Sequence, residues 1–458
     1  MNVKDMYDAG LYVPYERMEP DAVEEVKLRL IDTILALVGG ALSSPEDELE
    51  SICSVMKGAP EVRPAYPAGI KTSYEMAGFM NAWFTRYADW GDTYRRKDGI
   101  GGHPSDQIAA ILALCDAPGV SGRKIIEAIH FAYQLYAVLQ EHMFNTRQFL
   151  DYTTSLSITT PLTAAICFNT PPERAQNALN LSAAGGVILG EARRGKTTNL
   201  KSGASAYAVA RGLWCYRLSE AFLRTPDGIF DGSDGWYKNI APLTGNIADL
   251  KTDTAFASVE VKAFPCFHVG QAPVECAVSL HEQVKDRISQ IQGITVWVTE
   301  AYAPHIIKAG RLAYPSTQAA ADHNVKYCAA VALQYGALTP LHYGPEHLRD
   351  ERTRRLFDLT EVKVFDSPPE GRIGACKLEI AMKGGIAIEE SRERGEGSFT
   401  GMEVPARIEK LHMVLAKKQR MLEQISGFDF ASVIEAANNL ENAECSILLD
   451  RIQASIRK

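Results

Sequence analysis

Apolar residues recur at helical spacing from early in the chain. Val23, Val26, Leu30, Ile34, Leu37 and Val38 share one face of a segment spanning 21–42. Pro20 stands where a first turn tolerates it, and Gly39-Gly40 interrupts the pattern near its end. The same spacing predicts helices over 74–88, 105–115, 122–141, 154–168, 173–189 and 204–222. Many of these segments are rich in Ala, Gly and Ser, as closely packed helices are. No strand pattern emerges before about residue 255, so the first half reads as all-helical.

The period then changes. Ile294-Thr295-Val296-Trp297-Val298-Thr299 alternates every second residue, and so does Val362-Lys363-Val364. Leu378, Ile380 and Met382 alternate up to Gly384-Gly385, and Ile386 and Ile388 resume after it, which predicts a hairpin with a two-glycine turn. Helical segments lie between the strands near 270–287 and 317–335. From about 405 onward, Ile408, Leu411, Val414 and Leu415 return to helical spacing. The polar stretch Ser391 to Thr400 reads as an exposed loop. The expected fold is mostly α with a smaller α+β domain: helices over 1–255, an α+β domain over 256–402, and C-terminal helices over 403–458 that rejoin the first domain.

With 458 residues the chain exceeds a single core, which stops growing at roughly 250–300 residues. Apolar residues make up 46% and charged residues 23%, the balance of a globular protein. A net charge of -8 argues against nucleic acid as a partner, yet one local basic pocket could still hold an anion. No run of about 18 apolar residues predicts a membrane span. The polar N-terminus, Met-Asn-Val-Lys-Asp-Met-Tyr-Asp, lacks the apolar core of a signal peptide. Nine scattered cysteines, none in a C-x-x-C pair, read as reduced, mostly buried thiols of a cytoplasmic protein.

Four polar clusters carry candidate chemistry. Asp89-Trp90-Gly91-Asp92-Thr93-Tyr94, then Gly102-His103-Pro104-Ser105-Asp106, place carboxylates, hydroxyls and a histidine around a glycine-rich loop, with Ser105 able to cap the next helix. Arg193, Arg194, Lys196 and Lys201 put four cations within nine residues, which suits a multiply charged anion or, more plainly, a solvated loop. Lys262 and His268 flank a Phe-Pro-Cys-Phe turn where the pattern shifts, and a domain junction is a favoured place for a cleft. Asp322-His323 with Tyr327 falls on a predicted helix, where a core role is at least as good a reading. Zinc spacings, the phosphate loop and the G-x-S-x-G elbow do not occur.

Taken in order, these clusters resemble the MmgE/PrpD family. The D-[WF]-x-D-T…G-H-P-S-D signature of its methylcitrate-dehydrating branch is matched by Asp89–Thr93 and Gly102–Asp106. Leu150-Asp151-Tyr152 lies where that branch has Leu-Asp-His. Lys201 precedes a small-residue helix, Phe264-Pro265 with Phe267-His268 and Val274-Glu275 resembles its F-P…F-H…V-E stretch, and Asp322-His323 with Tyr327 resembles its D-H-x-x-x-Y helix.

The resemblance implies a helical domain built from both chain ends, an α+β lid, a homodimer, and no metal or other cofactor. It implies a lyase that dehydrates 2-methylcitrate or a similar hydroxy-tricarboxylate. Carried over residue by residue, it places Asp92, His103, Lys201 and His268 in catalytic roles. Thr93, Tyr152, Arg193, Arg194, Lys262 and Tyr327 would contact a small polycarboxylate. Tyr152 departs from the branch's histidine, and the Phe264–His268 stretch is one residue shorter; both bear on which acid is the substrate. Decarboxylation of a cis-aconitate-type acid or epimerisation of a dicarboxylate fits the same residues. A non-catalytic scaffold is the reading from another class. His103 and His268 are the expected acid/base pair, with either as the base.

Overall fold

The computed structural model describes residues 1–456 apart from 97–98, 145–148, 194–197, 222–223, 246, 248–254, 308–310 and 367–373. Its helices begin where local chemistry permits. Pro20 occupies the first turn of the helix Pro20–Ser43, and Val26, Leu30, Ile34 and Leu37 are buried along it. Gly39-Gly40 does not end this helix, as the sequence pattern indicated, but lets another approach. A Cβ on Gly40 would lie 2.0 Å from the carbonyl oxygen of Phe84 in the crossing helix Tyr74–Tyr87. Around this pair pack the helices Gly122–His142, Leu156–Cys167, Pro172–Ala183 and Leu200–Ala221.

Both chain ends contribute to this helical body. The helix Val404–Ser426 ends at Gly427, whose φ of 68° terminates it in the left-handed conformation. It lies along Pro20–Ser43, and the helices Ala431–Asn438 and Cys445–Ser455 touch the same partner. The contact includes buried ion pairs. Arg407 meets Glu25 at 2.7 Å, and Lys418 meets Asp32.

A second layer is a four-stranded sheet of order β5-β4-β6-β7, formed by β4 (Ile291–Val298), β5 (Thr360–Val364), β6 (Cys376–Met382) and β7 (Ala387–Arg392). Strands β4 and β5 are parallel, and the other pairings are antiparallel. The β6–β7 hairpin turns at Gly384 and Gly385, both with positive φ. One face carries Ile294, Val296, Val298, Leu378 and Ile380, which are buried beneath the helices Gln271–Val284 and Val325–Tyr335.

Two corrections concern short elements. A second, three-stranded sheet of order β2-β1-β3 joins β1 (Thr93–Arg96) to β2 (Gly99–Ile100) and to β3 (Val259–Glu260). Strands therefore do occur before residue 255. They are too short to show alternation, and β1 is paired by a segment more than 160 residues away, with Thr93 opposite Glu260. Nor is the stretch Ser391 to Thr400 simply exposed. It begins in β7, Gly397–Phe399 are buried, and the Gly397 carbonyl accepts from the Val261 N–H at 3.1 Å. The nine cysteines are free thiols, eight of them buried. No described helix is long and apolar enough to cross a membrane.

Candidate active site

The short sheet stitches the helical body to the α+β part, and a cavity of about 480 Å³ opens beside the seam. Its described lining residues fall in two groups, one drawn from between Arg86 and Tyr152 with Gly190 and Arg193, the other from between Lys262 and His323. Among the described residues, five cationic side chains line it (Arg86, Arg96, Arg193, Lys262 and Arg311) against two carboxylates, Asp89 and Asp151. The excess of three positive charges is local, in a chain of net charge -8. Four histidines complete the polar lining: His103, His268, His305 and His323.

His103 is held at both nitrogens. Arg86 can only donate, so Nε2 accepts from its guanidinium at 2.9 Å, and Nδ1–H donates to the main-chain carbonyl of Asp92. Burial, with Arg86 and Lys262 nearby, holds its pKa well below the ordinary histidine value. The Asp92 side chain faces away from the cavity. It accepts from Tyr133 Oη at 2.6 Å and from the Ser105 N–H at 3.1 Å, and burial raises its pKa. Ser105 begins the helix Asp106–Leu112 without a side-chain cap, so the cap expected of it is absent. Asp92 thus orients His103 through its backbone and secures the following loop through its carboxylate.

Asp89 follows the helix Tyr74–Tyr87 and adopts φ of 48°, a left-handed conformation uncommon outside glycine. It is fixed there by three neighbours. Arg86 reaches Oδ1 at 2.7 Å, and Lys262 reaches Oδ2 at 3.0 Å and the carbonyl at 2.8 Å. His323 Nε2 lies 3.8 Å from Oδ2. Burial alone would raise the pKa of this carboxyl; Lys262, Lys201, His323 and Arg86 together hold it well below the usual range. Arg86 thereby links Asp89 to His103, and its Nε also lies 3.6 Å from Asp106.

Lys201 sits one layer behind the cavity wall. Its ammonium meets Asp322 at 2.7 Å and lies 3.3 Å from His323 Nδ1. The helix expected over 317–335 is broken at this point. It divides into Gln318–Ala321 and Val325–Tyr335, and Asn324 caps the second piece by accepting from the Tyr327 N–H at 3.1 Å. Asp322 and His323 occupy the break, where His323 lines the cavity and stacks on Phe267. Tyr327 is not brought to the site. It is buried, and its hydroxyl donates to the His342 carbonyl at 2.7 Å.

His268 lies at the opposite end. Nε2 is 3.2 Å from both the Glu260 carboxylate and the Tyr302 hydroxyl. The carboxylate can only accept, so Nε2 carries the proton and Nδ1 is left with a lone pair. Burial lowers the His268 pKa to about 4. Tyr152 packs edge-on against His103 at 5.1 Å, with the Arg193 guanidinium 4.4 Å from its ring centre. Arg193 is itself anchored to Asp151 at 2.7 Å. Thr93 is buried in the wall, and Arg194 lies outside the described residues.

Arg86, Thr93, Tyr152, Arg193 and His268 share one property. Each has a buried polar atom (Nη1, Oη or Oγ1, Nη2 and Nδ1 among them) with no partner among the described residues. Buried polar groups are normally satisfied, and such clustering marks a place where a ligand supplies the partners. Asp89, Asp322 and His323 are close enough together to hold a cation. Their charge is already met by the ammoniums of Lys262 and Lys201, so they do not read as metal ligands.

Arg86, Arg96 and Arg311 are not among the candidates the sequence offers, and His323 is offered only within the Asp322-His323 cluster, without a role. Arg86 left one signal, a lone arginine inside a largely apolar helical pattern. Asn324 left another, a capping residue within a segment read as one helix.

A helical body closed by both chain ends, an α+β partner, and a cationic, histidine-rich cavity at their seam define the class. The chain belongs to the MmgE/PrpD family: the N-terminal domain of that family matches residues 11–244 and its C-terminal domain residues 264–419. Among curated relatives, 2-methylcitrate dehydratase of Escherichia coli (strain K12) is 24% identical over 393 residues, covering 76% of this chain and 77% of that protein. The mitochondrial 2-methylcitrate dehydratase of Yarrowia lipolytica is 25% identical, covering 72% and 64%. The 2-methylcitrate dehydratase-like protein oryR of Aspergillus oryzae is 24% identical, covering 82% and 81%.

Proposed function

We propose that this protein is a lyase that dehydrates a small hydroxy-tricarboxylic acid, 2-methylcitrate or a near relative, without a metal. The observation that carries this reading is the cavity's charge. Its excess of three positive charges matches a tricarboxylate, and the unpartnered donors of Arg86, Arg193 and Tyr152 offer it hydrogen bonds. The named relatives support the same substrate class.

Dehydration needs a base for the proton α to a carboxylate, stabilisation of the enediolate that forms, and a proton for the departing hydroxyl. The α-proton is weakly acidic, so charge stabilisation is the largest contribution. Arg86 and Lys262 are placed to supply it from buried positions, where their fields are least screened. Arg193, fixed by Asp151, would take a remote carboxylate. Thr93 and Tyr152 present hydroxyls to the substrate's polar groups. The neutral histidines supply proton transfer. Lys201 acts through Asp322 rather than by direct contact with the acid.

Tyr152 favours a second reading. A tyrosine whose hydroxyl is buried and whose pKa is raised by burial donates hydrogen bonds but does not act as a base near neutrality. In place of the branch's histidine it would suit decarboxylation of an unsaturated tricarboxylate or epimerisation of a dicarboxylate.

The test is turnover of 2-methylcitrate, citrate and cis-aconitate, with products identified by mass. Loss of one water from 2-methylcitrate or citrate supports the dehydratase. Release of carbon dioxide from cis-aconitate, with the hydroxy acids untouched, transfers the site to the sister activity.

A further inference from the structure

We infer that His323, oriented by Asp322, is the group that takes the α-proton in this site. The inference rests on the lyase reading above and adds the identity of its base. Four histidines line the cavity, and their surroundings separate them. His305 is exposed to solvent on the short helix Ala303–Ile306, with Arg311 rather than a carboxylate as its charged neighbour. His103 has no nitrogen free, since Arg86 occupies Nε2 and the Asp92 carbonyl occupies Nδ1. His268 keeps a lone pair, on Nδ1, but its neighbours are Glu260 and Tyr302 rather than the Arg86–Asp89–Lys262 group. His323 donates Nδ1–H to Asp322 and turns Nε2 toward the cavity and Asp89.

The surroundings of His323 suit a base. Asp322 is buried, and its other oxygen is held by Lys201 at 2.7 Å and by Gln318 Nε2 at 2.8 Å. An anchored carboxylate behind Nδ1 fixes the tautomer and stabilises the imidazolium when it forms. Phe267 stacks at 5.5 Å and fixes the ring plane. The charged groups facing the imidazole are Asp322 on its own segment, Lys201 from the helix Leu200–Ala221, and Asp89 from the loop after Tyr74–Tyr87.

The proton balance closes on this one residue. The Nε2 lone pair forms the N–H bond as the substrate's α C–H bond breaks. The electron pair moves into the adjoining carboxylate as an enediolate, beside Arg86 and Lys262. It then returns to form the carbon–carbon double bond as the neighbouring hydroxyl leaves. The imidazolium, a strong acid in this cationic cavity, gives its proton to that hydroxyl. Water departs and His323 is neutral again.

The experiment follows both dehydration and exchange of the α-proton with deuterium oxide by NMR, in the wild type and in His323→Gln. Binding of tricarballylate, a tricarboxylate without a hydroxyl to lose, reports separately on the cavity. The expected result is that His323→Gln loses both exchange and dehydration by on the order of 100-fold or more, while tricarballylate affinity stays close to that of the wild type. Added imidazole should restore part of the exchange to His323→Ala. Retention of exchange by folded His323→Gln overturns the assignment while leaving the lyase reading in place. Exchange that depends on His323 in a wild type that releases no water sinks the dehydratase and keeps the base. A wild type that neither exchanges nor dehydrates removes both.

Discussion

Arg86 Nη2 lies 2.9 Å from His103 Nε2 and 2.7 Å from the Asp89 carboxylate, so one guanidinium sets the tautomer of the first and joins Lys262 in holding the second ionised. Both bonds leave the one nitrogen Nη2, whose position is fixed by the rigid guanidinium plane while Nε faces Asp106. Arg86→Lys keeps the charge but loses that fixed geometry. It should lower kcat/KM by on the order of 100-fold, measured by steady-state kinetics. Arg86→Met should also be unstable, because it leaves Asp89 and Asp106 without their buried partner; breaking such a pair costs about 3–5 kcal/mol. A denaturant midpoint unchanged by Arg86→Met would contradict that account.

Gly102 and Tyr152 are fitted to one another. Gly102 has φ of 95°, and a Cβ there would fall 2.3 Å from two ring carbons of Tyr152. Gly102→Ala should be destabilised by about 1–3 kcal/mol through its backbone alone and should displace the Tyr152 ring from His103. In a Tyr152→Ala background the same change should cost less, because the clash with the ring is gone. Equal costs in the two backgrounds, from a double-mutant cycle by chemical denaturation, would show the pair to be uncoupled.

The histidines give the enzyme a predictable pH response. Burial lowers His268 to about 4, and burial followed by Lys201 lowers His323 to about 4. Burial also lowers His130 and His342 to about 4. The unfolded value is about 6.5. Between these values the unfolded chain binds more protons than the folded one, so stability increases as pH rises. This contribution is fully present above pH 6.5 and is lost as pH falls toward 4. Tm should therefore drop between pH 7 and pH 5. Burial raises Glu275 to about 7 and Asp106 to about 6, which offsets part of this drop; a Tm that rises toward pH 5 would show that the histidines do not dominate.

Catalysis should follow the same groups with a shift on binding. A tricarboxylate brings negative charge beside His323, whose pKa burial and Lys201 lower, so its pKa in the complex should lie above that of the free protein. The acid limb of kcat should then fall at higher pH than the acid limb of kcat/KM. Coincident limbs would mean that the bound acid does not neutralise the cavity.

Lys418 links the helix Val404–Ser426 to the site from the far side. Its ammonium is fully buried, pairs with Asp32, and donates to the Trp90 carbonyl at 2.9 Å, next to Asp89 and its left-handed backbone. Lys418→Met leaves Asp32 uncompensated and should cost about 3–5 kcal/mol. Asp32→Leu with Lys418→Met should recover most of that loss. Thermal unfolding of the single and double variants decides the point.

Much of this was legible in the chain itself. Helical periodicity located the long helices, because an apolar stripe is a strong signal over three or more turns. The β6–β7 hairpin declared itself through Gly384-Gly385. The segment holding His103 is marked by its density of polar side chains, and Lys262 and His268 by flanking a Phe-Pro-Cys-Phe turn where the periodicity shifts. Other features were hidden for physical reasons. Strand β1 has four residues and is defined by Glu260, far along the chain. Gly39-Gly40 looked like a helix stop but serves a close helix crossing. Lys201 and Asp92 are expected from the resemblance to act in catalysis. Both are turned to buried partners, and only the fold shows which neighbour satisfies a polar group. Tyr327 matched a sequence pattern yet packs away from the cavity. The break at Asp322–Asn324 was masked by helical spacing on either side of it.

The most direct test of the account is turnover of 2-methylcitrate by protein dialysed against a strong chelator and assayed in its presence. The prediction is undiminished formation of the unsaturated acid lighter by one water, because the site's own lysines and arginines carry the positive charge. Activity that disappears with chelator and returns with a divalent metal would contradict it, and would make Asp89, Asp322 and His323 the first residues to re-examine.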